Sequence, residues 1–242
     1  MKLKLKLLFS MICLIFFSGI IQAQTAEKII KQHIKKSGSK KYAKVETIIM
    51  TGNLPTPQGD FPITIYSKRP NKTKSELDIM GNQMIPSAFD GETAWMLNPM
   101  MGSTTPQKLP AETTLLIAEQ AQFEPLYINY GSKGYTITLD GNDDVKGKSC
   151  YKLKIEKSSG EGSNPQYHSF DKETYMLLKV NAKGADGNRA DTYFGDYKKT
   201  DFGIMMPYLW EISTQMGPQA INIIKITGNE PIDDKEFAFP EN

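Results

Sequence analysis

Apolar residues near the start of the chain change from a helical spacing to a strand spacing. Between residues 26 and 36 they recur every three or four positions, and Gly38 follows, so this pattern predicts an amphipathic helix that ends at the glycine. Further on, apolar and polar residues alternate, most clearly at Phe61, Ile63 and Ile65. The sequence therefore predicts a helix followed by half-buried strands.

The alternation continues through most of the remaining chain in two blocks. We predict about ten or eleven short strands, one block between residues 45 and 97 and the other between residues 135 and 227. Between the blocks, Pro110 opens a short apolar helix that runs through residue 119, with proline at a tolerated first-turn position. Helices and strands do not alternate, which argues against a parallel α/β fold. The predicted class is mainly β (α+β): a single, strongly curved antiparallel sheet with two short helices.

Three segments rich in glycine, proline, asparagine or aspartate predict turns between the strands. Residues 53–60 are predicted to form a hairpin loop, Asp90-Gly91 a tight turn, and Asp140-Gly141 a turn into the next strand. A bent sheet has a concave face, and the two helices are predicted to cover it. They either enclose a cavity there or complete a filled core, and both alternatives remain open at this point.

The N-terminal pattern predicts export. Three lysines within the first six residues precede an apolar run, and Ala23 offers a small residue for cleavage, so residues 1–23 are predicted to be a signal peptide and 24–242 a single domain. The 29 basic residues fall to 26 when the signal is removed, against 27 acidic residues. No basic stripe is present, so nothing in the composition predicts a nucleic-acid footprint, and we expect no nucleic-acid partner.

The residues that usually carry chemistry are few. Cys150 is the only cysteine outside the predicted signal, so an internal disulfide is excluded, and its position among lysines predicts a partly exposed, unreactive thiol. His33 and His168 have no acidic partner or nucleophile at motif spacing, which favours packed or surface histidines. No catalytic motif is present. We therefore predict no enzymatic activity, no cofactor and no metal site.

Methionines are the most distinctive apolar residues of the chain. Met96, Met100 and Met101 cluster around a proline, and flexible thioether side chains suit surfaces that bind varied apolar ligands. Ordinary filling of the core is the alternative interpretation of the same residues.

Three short motifs together resemble a known family. They are K-R-P at residues 68–70, D-G-E-T-A-W-M-L-N-P at residues 90–99 and F-A-F-P at residues 237–240. Their order and spacing are similar to those of the LolA/LolB-like superfamily of outer-membrane lipoprotein-sorting proteins over most of the mature chain. Two departures are the polar residues 71–74, where the carriers have aromatics, and additional chain length after residue 184. A ligand other than a lipoprotein is therefore an open alternative.

The resemblance implies an incomplete, half-barrel sheet whose helices cover a cavity for lipoprotein acyl chains, in the periplasm, with secretion as the alternative. By position, Arg69 would bind the lid and help it open and close; the alternative is a surface ion pair. Trp95 would line the cavity or belong to the sheet core. The predicted ligand-binding residues are Trp95, Met96, Met100, Met101, Leu115, Leu116, Phe123 and Leu126.

The predicted partners are an acylated lipoprotein or another lipid, with transfer partners at the inner or outer membrane, and we expect a monomer. A hypothesis of a different class is a non-catalytic structural or interaction module of the cell envelope, whose sheet has a filled core.

Overall fold

A computed structural model describes residues 25–99, 102–157, 164–183, 188–214 and 217–240. The predicted signal peptide and the predicted ligand contacts Met100 and Met101 lie outside these ranges. Within them, thirteen strands form one antiparallel sheet. The strands are β1 Thr47–Thr56, β2 Gly59–Lys68, β3 Lys72–Ile79, β4 Asn82–Phe89, β5 Ala94–Leu97, β6 Gln107–Lys108, β7 Tyr135–Val145, β8 Lys148–Lys157, β9 Gln166–Asp171, β10 Leu177–Lys183, β11 Arg189–Lys199, β12 Met205–Thr214 and β13 Gly217–Gly228.

The order of the strands shows how the sheet is built. It reads β6-β5-β4-β3-β2-β1-β13-β12-β11-β10-β9-β8-β7, so two antiparallel meanders meet where β1 pairs with β13. The sheet is curved and not closed, with β6 and β7 as its edges. The predicted fold class is confirmed. The strand count exceeds the prediction because short strands such as Gln107–Lys108 are too brief to show an alternating pattern.

One predicted turn is wrong, one is shorter than predicted, and one is confirmed. β1 and β2 form the predicted hairpin, but they stay paired until Thr56 meets Gly59, so the turn is confined to residues 57 and 58. Asp140-Gly141 lies inside β7, where the register shifts between Leu139 and Asn142, so the dipeptide marks a β-bulge. The tight turn at Asp90-Gly91 is confirmed: the Asp90 carboxylate accepts hydrogen bonds from the backbone N–H groups of Glu92 and Thr93.

Both predicted helices are present. Helix α1 spans Ala26–Ser37; the Thr25 side chain caps its start, and Gly38 ends it in the left-handed conformation at φ 74°. Helix α2 spans Ala111–Gln120 directly after Pro110. Short 3-10 helices at Ser39–Lys44 and Asp234–Glu236 complete the described helical segments.

The sheet has an inner face, which the helices contact, and an outer face. On the inner face, strands β1–β3, β12 and β13 contribute a first inner cluster of buried apolar residues that includes Ile48, Met50 and Ile223. Strands β7–β9 contribute a second inner cluster, and α1 packs on it through Ile29 and Ile30. The sheet thus buries two separate parts of one concave surface.

A bulge at the centre of the sheet contributes to its curvature. The register of β1 with β13 shifts between Thr51 and Gly52. A Cβ on Gly52 would lie 2.3 Å from the backbone oxygen of Asn222, which is closer than any side chain can sit. Only glycine fits so close to a backbone oxygen. Because bulges bend and twist the strand that carries them, the bulge at Gly52 helps to curve the sheet.

Candidate functional site

The inner face carries apolar side chains that are only half-buried. They surround the first inner cluster, mostly toward the hairpin ends of β1–β2, β3–β4 and β12–β13, and we call them the open apolar surface: Phe61, Ile65, Ile79, Met84, Tyr208, Trp210 and Ile212. A continuous apolar surface on a concave sheet is typical of ligand or partner sites.

The middle of the inner face is closed by the chain itself. Residues 109–134, which we call the crossing segment, connect the edge strand β6 to the opposite edge strand β7 and contain α2. Phe123 of this segment is buried in the first inner cluster, and Tyr127 is buried in the second. The crossing segment is therefore anchored in both halves of the sheet.

Helix α2 is seated loosely in comparison. None of its residues is buried. Ile117 and Ala118 contact a small cluster that contains Phe89 and Ala94, whereas Leu115 is 69% exposed. Elements with few buried apolar contacts open at low free energy, so α2 is the part of the crossing segment that is most easily displaced.

Arg69 ties the crossing segment to the start of β1. Its guanidinium donates to the carbonyl oxygens of Val45, at 2.7 Å, and of Tyr42. It also pairs with the Glu124 carboxylate at 3.0 Å and lies 4.9 Å from the centre of the Phe123 ring. The residue predicted to bind the lid thus contacts the segment just beyond α2. Whether it opens and closes that segment remains a prediction.

Trp95 lies on the outer face. The register places its side chain with those of Ala88 and Lys74, while the neighbouring Ala94 faces α2. The indole is 2% exposed, and its N–H donates to the carbonyl oxygen of Phe237 at 2.9 Å. Of the two roles left open for Trp95, this placement fits the sheet core beneath the C-terminal segment.

The other predicted contacts are spread over the inner side. Met96 is half-buried and lines a cleft of about 200 Å³ at the β5 edge of the sheet. Leu116 is half-buried on α2, Phe123 belongs to the first inner cluster, and Leu126 packs against the second. The structure does not bring these residues into one pocket, and their roles as ligand contacts remain predictions. The open apolar surface was missed, although its Met84 is one of the twelve methionines of the chain.

The two histidines are packed under the crossing segment. His33 bonds through Nδ1 to the carbonyl oxygen of Tyr175 at 2.8 Å, and His168 bonds to the hydroxyl of Tyr127. Burial lowers the pKa of His33 and lowers the pKa of His168 to about 3, and the nearby His33 adds to the second effect. Both imidazoles are neutral near pH 7, and the predicted packing role is confirmed.

The prediction of a partly exposed Cys150 is wrong. The residue is 0% exposed and packs with Val145 and Leu178 beneath the rings of Tyr193 and Tyr197. Burial, with help from neighbouring carboxylates, raises the pKa of the thiol to about 11. The lysines that follow Cys150 suggested an exposed face, but tyrosines from a strand far away in sequence cover it.

Among the residues that the structure describes, there is neither a metal-binding cluster nor a helix that could cross a membrane. No group of three or more histidine, cysteine, aspartate or glutamate side chains is arranged to hold a metal ion within these ranges. Among the helices of the same ranges, none is long and apolar enough to cross a membrane.

Comparison with known proteins identifies the fold. No family model matches the chain, and no curated protein matches it. A LolA superfamily protein from Nitrosomonas europaea is similar in structure, with a TM-score of 0.56 and 12% identity over 89% of this chain and 98% of that one. A DUF1329 family protein from Desulfovibrio piger has a TM-score of 0.58 and 12% identity over 89% and 98%.

A third structure is a domain from Vibrio parahaemolyticus described as an outer membrane lipoprotein-sorting protein. Its TM-score is 0.54, with 13% identity over 88% of this chain and 97% of that one. The chain therefore has the LolA-like fold, as its short motifs indicated.

Proposed function

We propose that this protein is a non-enzymatic carrier that shields an acyl chain of a lipoprotein or another lipophilic ligand on its inner face. The observation that carries the proposal is the open apolar surface, which lies on the concave side of the sheet and which neither helix fully covers. The LolA-like fold is consistent with this use of the inner face.

The physical need for such a carrier is large. Exposing an acyl chain to water costs about 0.8 kcal/mol per methylene, or roughly 12 kcal/mol for a sixteen-carbon chain. A carrier has to shield the chain and still release it. Flexible or aromatic side chains such as Met84 and Trp210 suit both requirements better than a rigid pocket.

The proposed location is the periplasm. This part of the proposal is supported by the basic and apolar pattern of the first 23 residues. A carrier in that compartment would meet donor and acceptor partners at the inner and outer membranes, and it would work as a monomer.

Lipid uptake by paired methionine variants tests the proposal. Met84 is half-buried on the open apolar surface, whereas Met80 is 74% exposed in the adjacent turn. We expect the mature protein, purified from its envelope, to carry acylated species in native mass spectrometry with lipid extraction. Met84→Lys should lose them, and Met80→Lys should retain them. A wild-type protein that neither carries nor takes up lipid, or a folded Met84→Lys variant with unchanged uptake, would refute the proposal.

The alternative is an interaction module with a filled core. It is favoured by the tight packing in the middle of the inner face, where Phe123 is 7% and Ile204 is 1% exposed. This alternative predicts a clean apo mass, no uptake of added lipid or lipopeptide, and a stable protein partner in pull-down experiments from the envelope.

A further inference from the structure

The two edges of the sheet differ in length and composition. Strand β6 has only two residues, Gln107–Lys108, one of which is a lysine, and Pro110 follows it closely. Strand β7 has eleven residues, Tyr135–Val145, without a lysine or a proline. Short length, lysine and proline are the features by which natural sheets keep further strands from joining an edge. The β6 edge carries all three, whereas β7 has none of them.

The first five residues of β7 form a regular edge. They pair with β8 without a register shift, and the bulge begins only after Leu139. The N–H of Tyr135 donates to the carbonyl oxygen of Tyr130 at 2.9 Å, so it points away from β8. Because successive residues of an antiparallel strand direct their backbone groups to opposite sides, Ile137 and Leu139 also point theirs away from β8. These two residues offer a donor and an acceptor each to an added strand.

The side chains along this edge define the pattern of an added strand. Ile137 is buried in the second inner cluster. Leu139 lies opposite the buried Leu153 and therefore on the same face, but it is 41% exposed. Thr138, on the outer face between them, is exposed. Since neighbouring strands keep the same faces, the inward side chains of an added strand would extend the second inner cluster and should be apolar, and the outward ones should be polar.

The charge of β7 favours a basic partner. Asp140, Asp143 and Asp144 follow the regular edge, and the strand contains no basic residue. The neighbour on the other side shows which sequence complements it: in β8, Lys152 pairs with Asp140 at 2.8 Å and stands next to the apolar Leu153. The lysines of β8 lie one strand further from an added strand than these aspartates do. A second copy of β7 would bring the same negative charge to the contact and be repelled.

We propose that the first half of β7 docks an extended segment of a partner protein, with alternating apolar and basic residues, as an added strand of the sheet. The inference goes beyond the carrier function and does not require a bound lipid. Five paired residues span about 17 Å and bury far less than the roughly 1,200–2,000 Å² of a stable interface. The contact is therefore transient, in keeping with a protein that we expect to be a monomer.

Four labelled hexapeptides test the docking by fluorescence anisotropy at pH 7. One alternates lysine and valine, and a second alternates glutamate and valine. The other two repeat the lysine–valine sequence with N-methyl groups on either the valine or the lysine amides. We expect the lysine–valine peptide to bind about tenfold or more tightly than the glutamate–valine peptide. The inward valines lie opposite Ile137 and Leu139, so methylation of their amides should abolish binding, whereas methylation of the lysine amides should preserve it.

Hydrogen exchange and two variants locate the site. The lysine–valine peptide should slow exchange at the amides of Ile137 and Leu139. Leu139→Lys removes the apolar contact and adds a charge that repels the peptide, so the affinity should fall about tenfold or more. Leu139→Pro removes only a backbone donor that faces the edge and should also lose binding. Ile224→Lys is the control, because Ile224 is 65% exposed on β13, which is paired on both sides, and it should bind like the wild type.

The outcomes separate this proposal from the carrier function. Failure of the lysine–valine peptide to bind, equal binding of the two methylated peptides, or unchanged affinity of a folded Leu139→Lys variant would overturn the docking of a strand at β7. A dimer in sedimentation that protects Leu139 would identify a second copy as the occupant and overturn the choice of partner. Lipid uptake is measured without peptide, so peptide binding by a protein that takes up no lipid would support the docking and refute only the carrier function.

Discussion

Arg69 offers the sharpest test of how the crossing segment is fixed to the sheet. Its side chain is 24% exposed and is the shared partner of two backbone carbonyls, at Tyr42 and Val45, and of the Glu124 carboxylate. Removing it leaves the Val45 carbonyl without its donor, at about 1–3 kcal/mol, whereas the Tyr42 carbonyl keeps a hydrogen bond from the backbone N–H of Val45 at 3.0 Å. The partly exposed ion pair adds at most about 1 kcal/mol, and the contact with the Phe123 ring about 0.5–1 kcal/mol.

We therefore expect Arg69→Met to lower the free energy of unfolding by about 2–4 kcal/mol, or the melting temperature by about 8 °C for a chain of this size. Arg69→Lys should recover less than half of the loss, since an ammonium cannot reach three acceptors in different directions. Lys41→Met is the matched control. Lys41 is an exposed cation that bonds a single carbonyl at 3.3 Å, and its loss should cost about 0.5 kcal/mol or less.

The assay combines urea denaturation with hydrogen exchange. In Arg69→Met, exchange should accelerate mainly in residues 39–45 and 121–128, because these are the segments that the guanidinium joins. The exchange rates of the amides of β8 and β9, measured without denaturant, should not change. A loss of stability below about 1 kcal/mol, or acceleration spread evenly over the sheet, would refute the reasoning and reduce Arg69 to the surface ion pair of the alternative interpretation.

Three further predictions concern the interior. Burial lowers the pKa of His168 to about 3, so the unfolded chain binds a proton at this residue more tightly than the folded chain does. The free energy of unfolding should therefore have its full value above pH 6.5 and fall as the pH drops toward 3. In urea titrations, His168→Asn should flatten the part of this fall between pH 6 and 4. Gly52→Ala should cost about 2 kcal/mol or more through its clash with the Asn222 oxygen, whereas Gly131→Ala, which has open space around it, should change stability by about 0.5 kcal/mol or less; equal effects would contradict the role of the bulge. The Cys150 thiol should react with a maleimide only as fast as the protein unfolds, and rapid labelling of the native protein would contradict its burial.

The sequence predicted those elements that are determined by neighbouring residues alone. Helix α1 was predicted because its apolar spacing and the Gly38 that ends it lie within one short segment. The loop of the hairpin at residues 53–60 was predicted to be too long because proline usually ends strands. Here the pairing of β1 with β13 reaches only to Asn53, so the missing N–H of Pro55 faces no partner on that side.

Side-chain environments that depend on distant residues could not be predicted in the same way. Alternation along β5 separates Ala94 from Trp95, but it does not say which of the two faces the helices. That choice depends on the C-terminal segment, whose Phe237 carbonyl receives the indole N–H from 142 positions away. Cys150 is a second case, since rings from β11 cover it.

The distribution of buried residues indicates where a carrier of this design would move. The crossing segment is fixed by Phe123 and Tyr127, which are 7% and 6% exposed, while Leu115 on α2 is 69% exposed. Leaving a leucine in water forgoes about 1.5–3 kcal/mol that a bound chain or a partner surface could recover. For the carrier function proposed above, we expect α2 to be the element that moves to cover a ligand, because its displacement breaks neither anchor. We then expect the movement to be confined to residues 111–120, with the packed middle of the sheet, which on its own suggests a filled core, as the fixed frame against which that helix moves.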